Sequence, residues 1–280
     1  MSKERPPRTP TALTIAGSDS GGGAGIQADL KAFARCGVHG TCAITAITAQ
    51  NTRGVLAILP VDPEIVLAQV RAVIADIPPD AVKVGMLGTV AVTQAVAQAL
   101  AELRSGTPVV VDPVMVAESG ARLLEEDAHR ALIELIAPRA SVLTPNLPEA
   151  RALLGRPEGA TEDEQEGEAE DLARRLLALG PGAVVITGGH RREASDLFLT
   201  SGAEAAVSIA GERHPGGAAH GSGCTHSSVL AAQLALGRTP LEAARTARAL
   251  AGAAVAAGLR DLGGGPGPVD VIDLARVRDS

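Results

Sequence analysis

Short apolar runs alternating with longer alanine-rich stretches give this chain its first legible pattern. Residues 82–84, 109–111, 142–144 and 184–187 are short and rich in β-branched side chains, and 11–16 has the same character. Around and between them lie helix-like stretches at 65–74, 92–103, 127–136 and 171–179. Strands joined by helices predict a parallel sheet, and apolar strand runs suit a sheet covered on both faces. The expected fold is therefore α/β, three layers in the order α/β/α around a central, mostly parallel sheet. Helix punctuation agrees. Thr239-Pro240-Leu241-Glu242 offers an N-cap, a proline in the first turn and a reciprocating glutamate, and Thr161 and Glu164 have the spacing to do the same. The acidic stretch 158–170 reads as a solvated connection plus a first helical turn.

Length and composition narrow the class. The 280 residues can build one large core, and no proline- or serine-rich linker divides them. Residues 1–10, charged and proline-rich, are expected to be a disordered extension ahead of a single domain at 11–280. Hydrophobic residues make up 46%, yet no apolar run reaches the ~18 residues that span a membrane, and the N-terminus does not resemble a signal peptide. A cytoplasmic protein without a membrane partner is expected. The three cysteines, Cys36, Cys42 and Cys224, form no Cys-x-x-Cys pair, which argues against disulfides and structural zinc. Cys36 and Cys42 read as packing residues. A net charge of -7 argues against a nucleic-acid partner, and Phe33 and Phe198 are the only aromatic residues, so stacking platforms are missing. A ring-shaped ligand would have to be held by aliphatic contacts and hydrogen bonds.

Two glycine-rich segments carry the candidate chemistry. His220-Gly221-Ser222-Gly223-Cys224 runs into a helix-like stretch that stops at Gly237. Amides exposed at a helix N-terminus carry about half a positive charge, so this loop can hold a phosphate. Cys224 sits in the same field, which favours loss of its proton and makes it a candidate base for a substrate hydroxyl. The pentapeptide alone fits a glycine-rich turn over a buried cysteine equally well. The second segment, Gly17-Ser18-Asp19-Ser20-Gly21-Gly22-Gly23-Ala24-Gly25, lies between the strand 11–16 and a helical run at 26–33. It matches neither usual nucleotide fingerprint. The chain has no Gly-Lys dipeptide, and the glycines lack the Gly-x-Gly-x-x-Gly spacing.

Taken together, Gly17 to Lys31, Thr48-Ala49-Gln50-Asn51-Thr52 and His220 to Thr225 closely resemble the hydroxymethylpyrimidine/phosphomethylpyrimidine kinases of thiamine biosynthesis, in the ribokinase-like superfamily. The resemblance continues through Val84-Gly85-Met86-Leu87, Asp112-Pro113-Val114-Met115-Val116, Leu143 to Ala150 and Gly188-Gly189-His190, and so spans about residues 11 to 260. It implies ATP and Mg2+ as cosubstrate and cofactor, a small-molecule pyrimidine as acceptor, and a homodimer. Gly221, Ser222, Gly223 and Cys224 would form the catalytic loop. Ala24, Asp29, Gln50, Met86 and Val114 would contact the pyrimidine. The side-chain amide of Gln50 pairs a donor with an acceptor, as an aminopyrimidine edge requires. Ligands of open α/β sheets bind beyond the carboxyl ends of the strands, where Asp19, Asp112, Asn146, Glu149 and Thr187 fall. Asn146 and Thr187, with Gly221 and Gly223, are expected at the nucleotide. Asp112 and Glu149 are expected at the metal, because hard cations take oxygen ligands; strand-end caps are the alternative.

The chain departs from the family at Glu118 and Thr187, positions where lysine is common. Arg122, Arg191 and Arg192 are candidates to replace those charges. Three readings stay open: a pyrimidine kinase, a pyridoxal kinase of the same superfamily that would share Cys224, and a non-catalytic pyrimidine- or nucleotide-binding protein.

Overall fold

The structure, a computed structural model, describes residues 8–115, 123, 125–156, 162–190, 194–274 and 276. Glu118, Thr161, Arg122, Arg191 and Arg192, which carried expectations above, lie outside the described residues. The described chain already makes contacts before the expected boundary at 11, where Arg8 pairs with Asp80 and donates to the Pro78 carbonyl.

An eight-stranded sheet forms the middle layer. Its strands are β1 (Thr11–Ala16), β2 (His39–Ile44), β5 (Ala81–Val84), β6 (Val109–Val111), β7 (Val142–Leu143), β8 (Ala183–Ile186), β9 (Asp196–Thr200) and β10 (Val207–Ile209). The order across the sheet is β10-β9-β8-β7-β6-β5-β1-β2. Pairing is parallel from β2 through β8 and antiparallel at β9 and β10. Two further strands, β3 (Ala46–Asn51) and β4 (Gly54–Pro60), form a separate antiparallel hairpin.

Alternation along each strand distributes the core to the two faces. Leu13, Ile15, Val82, Val84, Val109 and Val111 pack with α2 (Pro63–Asp76), α3 (Val90–Ala101), α5 (Leu147–Leu153) and α6 (Glu162–Leu177). Ala12, Ala81, Val110 and Val142 pack with α1 (Gly25–Arg35), α7 (Ser222–Ala235) and α8 (Pro240–Ala256), and both phenylalanines lie on this side. The three-layer expectation holds. Thr239 caps α8 with Glu242 reciprocating, as its sequence requires.

Three details differ from expectation. Helix α6 begins at Glu162, so most of the acidic stretch is helical rather than a connection. Glutamate is a good helix former, and the pairs Glu170–Arg174 and Asp171–Arg175 support the turns that follow. The helix expected over 127–136 is α4 (Glu126–Ala131) followed by a π-helical turn at Leu132–Ile136. The hairpin was missed because its outward face leaves Ile47, Leu56 and Leu59 exposed, so no core pattern marks it.

Candidate active site

The segments that leave β1, β5, β6, β7 and β8 converge on one cavity of about 820 Å3, a size usual for enzyme sites. The sheet brings together residues far apart in sequence: Ala24 and Gln50 from the N-terminal part, Met86, Asp112, Val114, Asn146, Glu149 and Thr187 from the strand ends, and Gly221 to Cys224 from α7.

The loop after β1 folds around its own carboxylate. Asp19 is 1% exposed; its Oδ1 accepts the Gly21 amide at 2.8 Å, and its Oδ2 accepts the amides of Gly23 at 3.0 Å and Ala24 at 2.8 Å. His220 Nε2 lies 2.9 Å from the same Oδ2, tying this loop to the one that precedes α7. Burial alone would raise the Asp19 pKa, but the His220 hydrogen bond and the Ala24 and Gly21 amides hold it below the usual carboxylate range.

The second loop ends in Gly221, the N-cap of α7, at φ 82°, a left-handed conformation that favours glycine. A β-carbon there would stand 1.8 Å from the Gly23 carbonyl oxygen, so the two loops interlock with no room for a side chain. The first helical hydrogen bond runs from the Thr225 amide to the Gly221 carbonyl. The amides of Gly223 and Cys224 precede it, and the helix leaves them for an anion.

Beneath this loop sits a buried charge cluster. Lys83, on β5, is fully buried, with Nζ 3.0 and 3.1 Å from the two oxygens of Asp29 and 3.8 Å from Asp112. Thr14 and Ser228 each donate to Asp29 at 2.6 Å, and Ser227 donates to Asp112 at 2.9 Å. Burial would lower the Lys83 pKa, but Asp29, Cys224 and Asp112 together raise it, so the ammonium is a fixed positive charge at the cavity floor. Burial raises the Asp112 pKa, with Lys83 opposing. Lys83 was missed by sequence reasoning, since a single lysine within an apolar strand carries no signal of its partners. Asp29, expected at the pyrimidine, is fully buried and accepts from Lys83.

The Cys224 thiol also departs from expectation. Burial pushes it up to about 12, the Asp112 and Asp29 carboxylates add to the rise, and Lys83 and the Gly25 amide only partly oppose it. The helix N-terminus is outweighed, and Cys224 is a thiol near neutral pH. Asn146 and Glu149 make a reciprocal capping box on α5, at 2.8 and 2.9 Å, so Glu149 serves as a helix cap. Glu149 faces the cavity as well, and burial followed by the Asp112 charge pushes its carboxyl up to about 8. Thr187 pairs with Asn146 across the ends of β7 and β8. Gln50, on the hairpin, accepts from Thr48 at 3.3 Å, while Met86 and Val114 supply apolar wall.

Residues 19–270 match the profile of the phosphomethylpyrimidine kinase family. The chain belongs to that family. It is 48% identical over 264 residues to the hydroxymethylpyrimidine/phosphomethylpyrimidine kinase of Rhizobium meliloti (strain 1021), covering 93% of this chain and 96% of the relative. Among solved structures, an ADP complex of Bacillus subtilis pyridoxal kinase superposes with a TM-score of 0.84 at 37% identity, over 96% of this chain and 99% of that one. A phosphomethylpyrimidine kinase from Clostridium difficile 630 gives a TM-score of 0.72 at 38% identity, over 85% and 96%. The ribokinase-like fold and the kinase class of the phosphomethylpyrimidine kinase family thus agree with the architecture described above.

Proposed function

We propose that this kinase transfers the γ-phosphoryl group of ATP to the hydroxymethyl oxygen of 4-amino-5-hydroxymethyl-2-methylpyrimidine and then to the resulting monophosphate, in thiamine biosynthesis. The observation that carries the reading is the meeting, in one cavity, of an anion-binding helix terminus with a wall of Ala24, Gln50, Met86 and Val114. Gln50 would read the aminopyrimidine edge, and Met86 and Val114 would cover its faces. Asn146 and Thr187 would border the nucleotide. The amides of Gly223 and Cys224, with Gly221 and Ser222 shaping the turn, would stabilise charge on the transferring phosphoryl group.

Asp112 and Glu149 suit Mg2+. They are neighbouring oxygen donors on the cavity wall, and the charge of one raises the pKa of the other, which a divalent cation would relieve. Among the described residues no three His, Cys, Asp or Glu side chains cluster for a metal, a set that suits an ion completed by water and phosphate oxygens. Bound there, Mg2+ would neutralise phosphate charge. Thr187 brings no charge to this end, whereas Lys83 and Arg248 each place a cation on the cavity wall. In its thiolate form, the minor one at neutral pH, Cys224 would take the proton of the substrate hydroxyl as the oxygen–phosphorus bond forms.

The test is ADP release with Mg2+ and ATP, supplying hydroxymethylpyrimidine, its monophosphate or pyridoxal, for the wild type and Cys224→Ala. Turnover of both pyrimidines, falling by about 10²- to 10⁴-fold in the variant, is expected for a general base. Turnover of pyridoxal alone moves the activity to the vitamin B6 branch, which the 0.84 TM-score to a pyridoxal kinase makes the necessary control. Ligand binding without ADP release from any acceptor overturns the kinase reading.

A homodimer belongs to the same proposal. Leu56 and Leu59 on the hairpin are 78% and 65% exposed, an apolar face that a second copy would cover. A sedimentation mass of one chain overturns it. Among the described residues no helix is long and apolar enough to cross a membrane, and the three free cysteines suit the reducing cytoplasm.

A further inference from the structure

We propose that Asp196 is a positioning residue that holds the nucleotide side of the cavity in register with the helix carrying the anion loop. Asp196 opens β9, is 1% exposed and has no part in the chemistry above. Its Oδ1 accepts the Gly188 amide at 2.7 Å, and its Oδ2 lies 2.9 Å from His226 Nε2 on α7. Arg248, from α8, brings Nε to 3.8 Å of Oδ1, and its Nη2 donates to the carbonyls of Ala194 and Glu212. One carboxylate therefore joins the loop after β8, helix α7 and helix α8.

Each joined element contributes to the cavity. Thr187 and Gly189, on either side of Gly188, line it, as do Glu212 and Arg248. His226 follows Cys224 by two positions and precedes Ser227, whose hydroxyl holds Asp112. A shift at the Asp196–His226 contact thus moves the anion loop and Asp112 relative to the Thr187–Gly189 border. Movement is resisted because displacing any one partner leaves a buried charge short of its hydrogen bonds. His226 Nδ1 is buried with no partner among the described residues, so Asp196 is the ring's polar anchor there. Gly188 reinforces the fit, since a β-carbon on it would stand 2.5 Å from the Ser195 carbonyl oxygen. Stability alone does not require such a cluster, because well-packed apolar residues often replace a buried ion pair without loss.

The inference rests on the proposed phosphoryl transfer from ATP, so the experiment separates the two. Steady-state ADP release is measured with ATP varied at saturating pyrimidine and with pyrimidine varied at saturating ATP. Asp196→Ala and His226→Leu are expected to raise KM for ATP at least tenfold while changing KM for the pyrimidine less than twofold. His226→Gln, which keeps an N–H donor toward Asp196, is expected to stay within threefold of wild type on both. His226→Leu carries the test if Asp196→Ala does not fold. An unchanged KM for ATP in folded His226→Leu, an equal rise in both constants, or no rescue by glutamine overturns the proposal. A wild type that releases no ADP overturns the kinase reading instead. In that case calorimetric titration of a non-hydrolysable ATP analogue into wild type and His226→Leu decides this inference, with tenfold weaker binding expected and equal binding overturning it.

Discussion

Two glycine-rich loops of similar composition meet at one cavity, and their electrostatics are opposite. In the loop after β1 the amides of Gly21, Gly23 and Ala24 already point at Asp19, an anion supplied by the chain itself. At the start of α7 the amides of Gly223 and Cys224 precede the first helical hydrogen bond and remain for a ligand. Glycine content permits close backbone approach in both, but only the loop without an internal anion can cradle a phosphate. The first loop serves as the template against which the second is moulded, through His220 and the Gly221–Gly23 contact.

Gly221→Ala should break the distinction altogether. It places a β-carbon on the Gly23 carbonyl at φ 82° and disturbs both loops together. We expect kcat/KM to fall by roughly a thousandfold, the scale of losing preorganised donors, and retention of a tenth of the activity would contradict the interlock. Asp19→Ala should act on stability first. Removing a buried carboxylate that answers three amides and His220 is expected to cost about 3–5 kcal/mol in denaturant unfolding, and a loss under 1 kcal/mol would mean the loop holds its shape unaided.

The thiol gives a pH test. With the Cys224 pKa pushed up to about 12, the thiolate is the minor form at neutral pH, and its fraction rises about tenfold per pH unit below that value. If Cys224 accepts the substrate proton, log kcat should climb with pH between 7 and 9 in the wild type. A flat profile would assign the proton to another acceptor. The smallest effect is expected for Gly223→Ala. Outside its own turn of the helix an added β-carbon meets no atom within 4 Å, and alanine should stabilise the helix by up to about 1 kcal/mol. Any fall in activity, on the order of tenfold if the methyl enters the phosphate cradle, then reports ligand space alone. Unchanged activity would move the phosphate away from this turn.

Much of this was legible in the chain. Strands β6, β7 and β8 announced themselves because burial on both faces makes them apolar throughout, β5 did so with Lys83 as its one polar position, and the start of α7 followed from two glycines before a helical run. Other parts were not legible. Glu149 satisfies two demands at once, capping α5 and facing the cavity, so type and position could not choose between them. Lys83 and Asp29 recognise each other across 54 residues, and no local pattern encodes a buried ion pair of that separation. The Cys224 thiol was misjudged for a related reason. The helix terminus is visible in sequence, but the two carboxylates and the burial that outweigh it arrive through the fold.

The Asp19–His220 contact closes 201 residues of chain, and the Gly265 amide reaches back 213 residues to the Thr52 hydroxyl at the hairpin. Contacts this distant in sequence carry the largest loop-closure entropy and are formed against it late. During synthesis the N-terminal half of the sheet can assemble while its glycine loop still lacks the histidine that will clasp it. Phosphate-handling geometry therefore waits for the segment that carries His220, when the cradle closes over strands made before it.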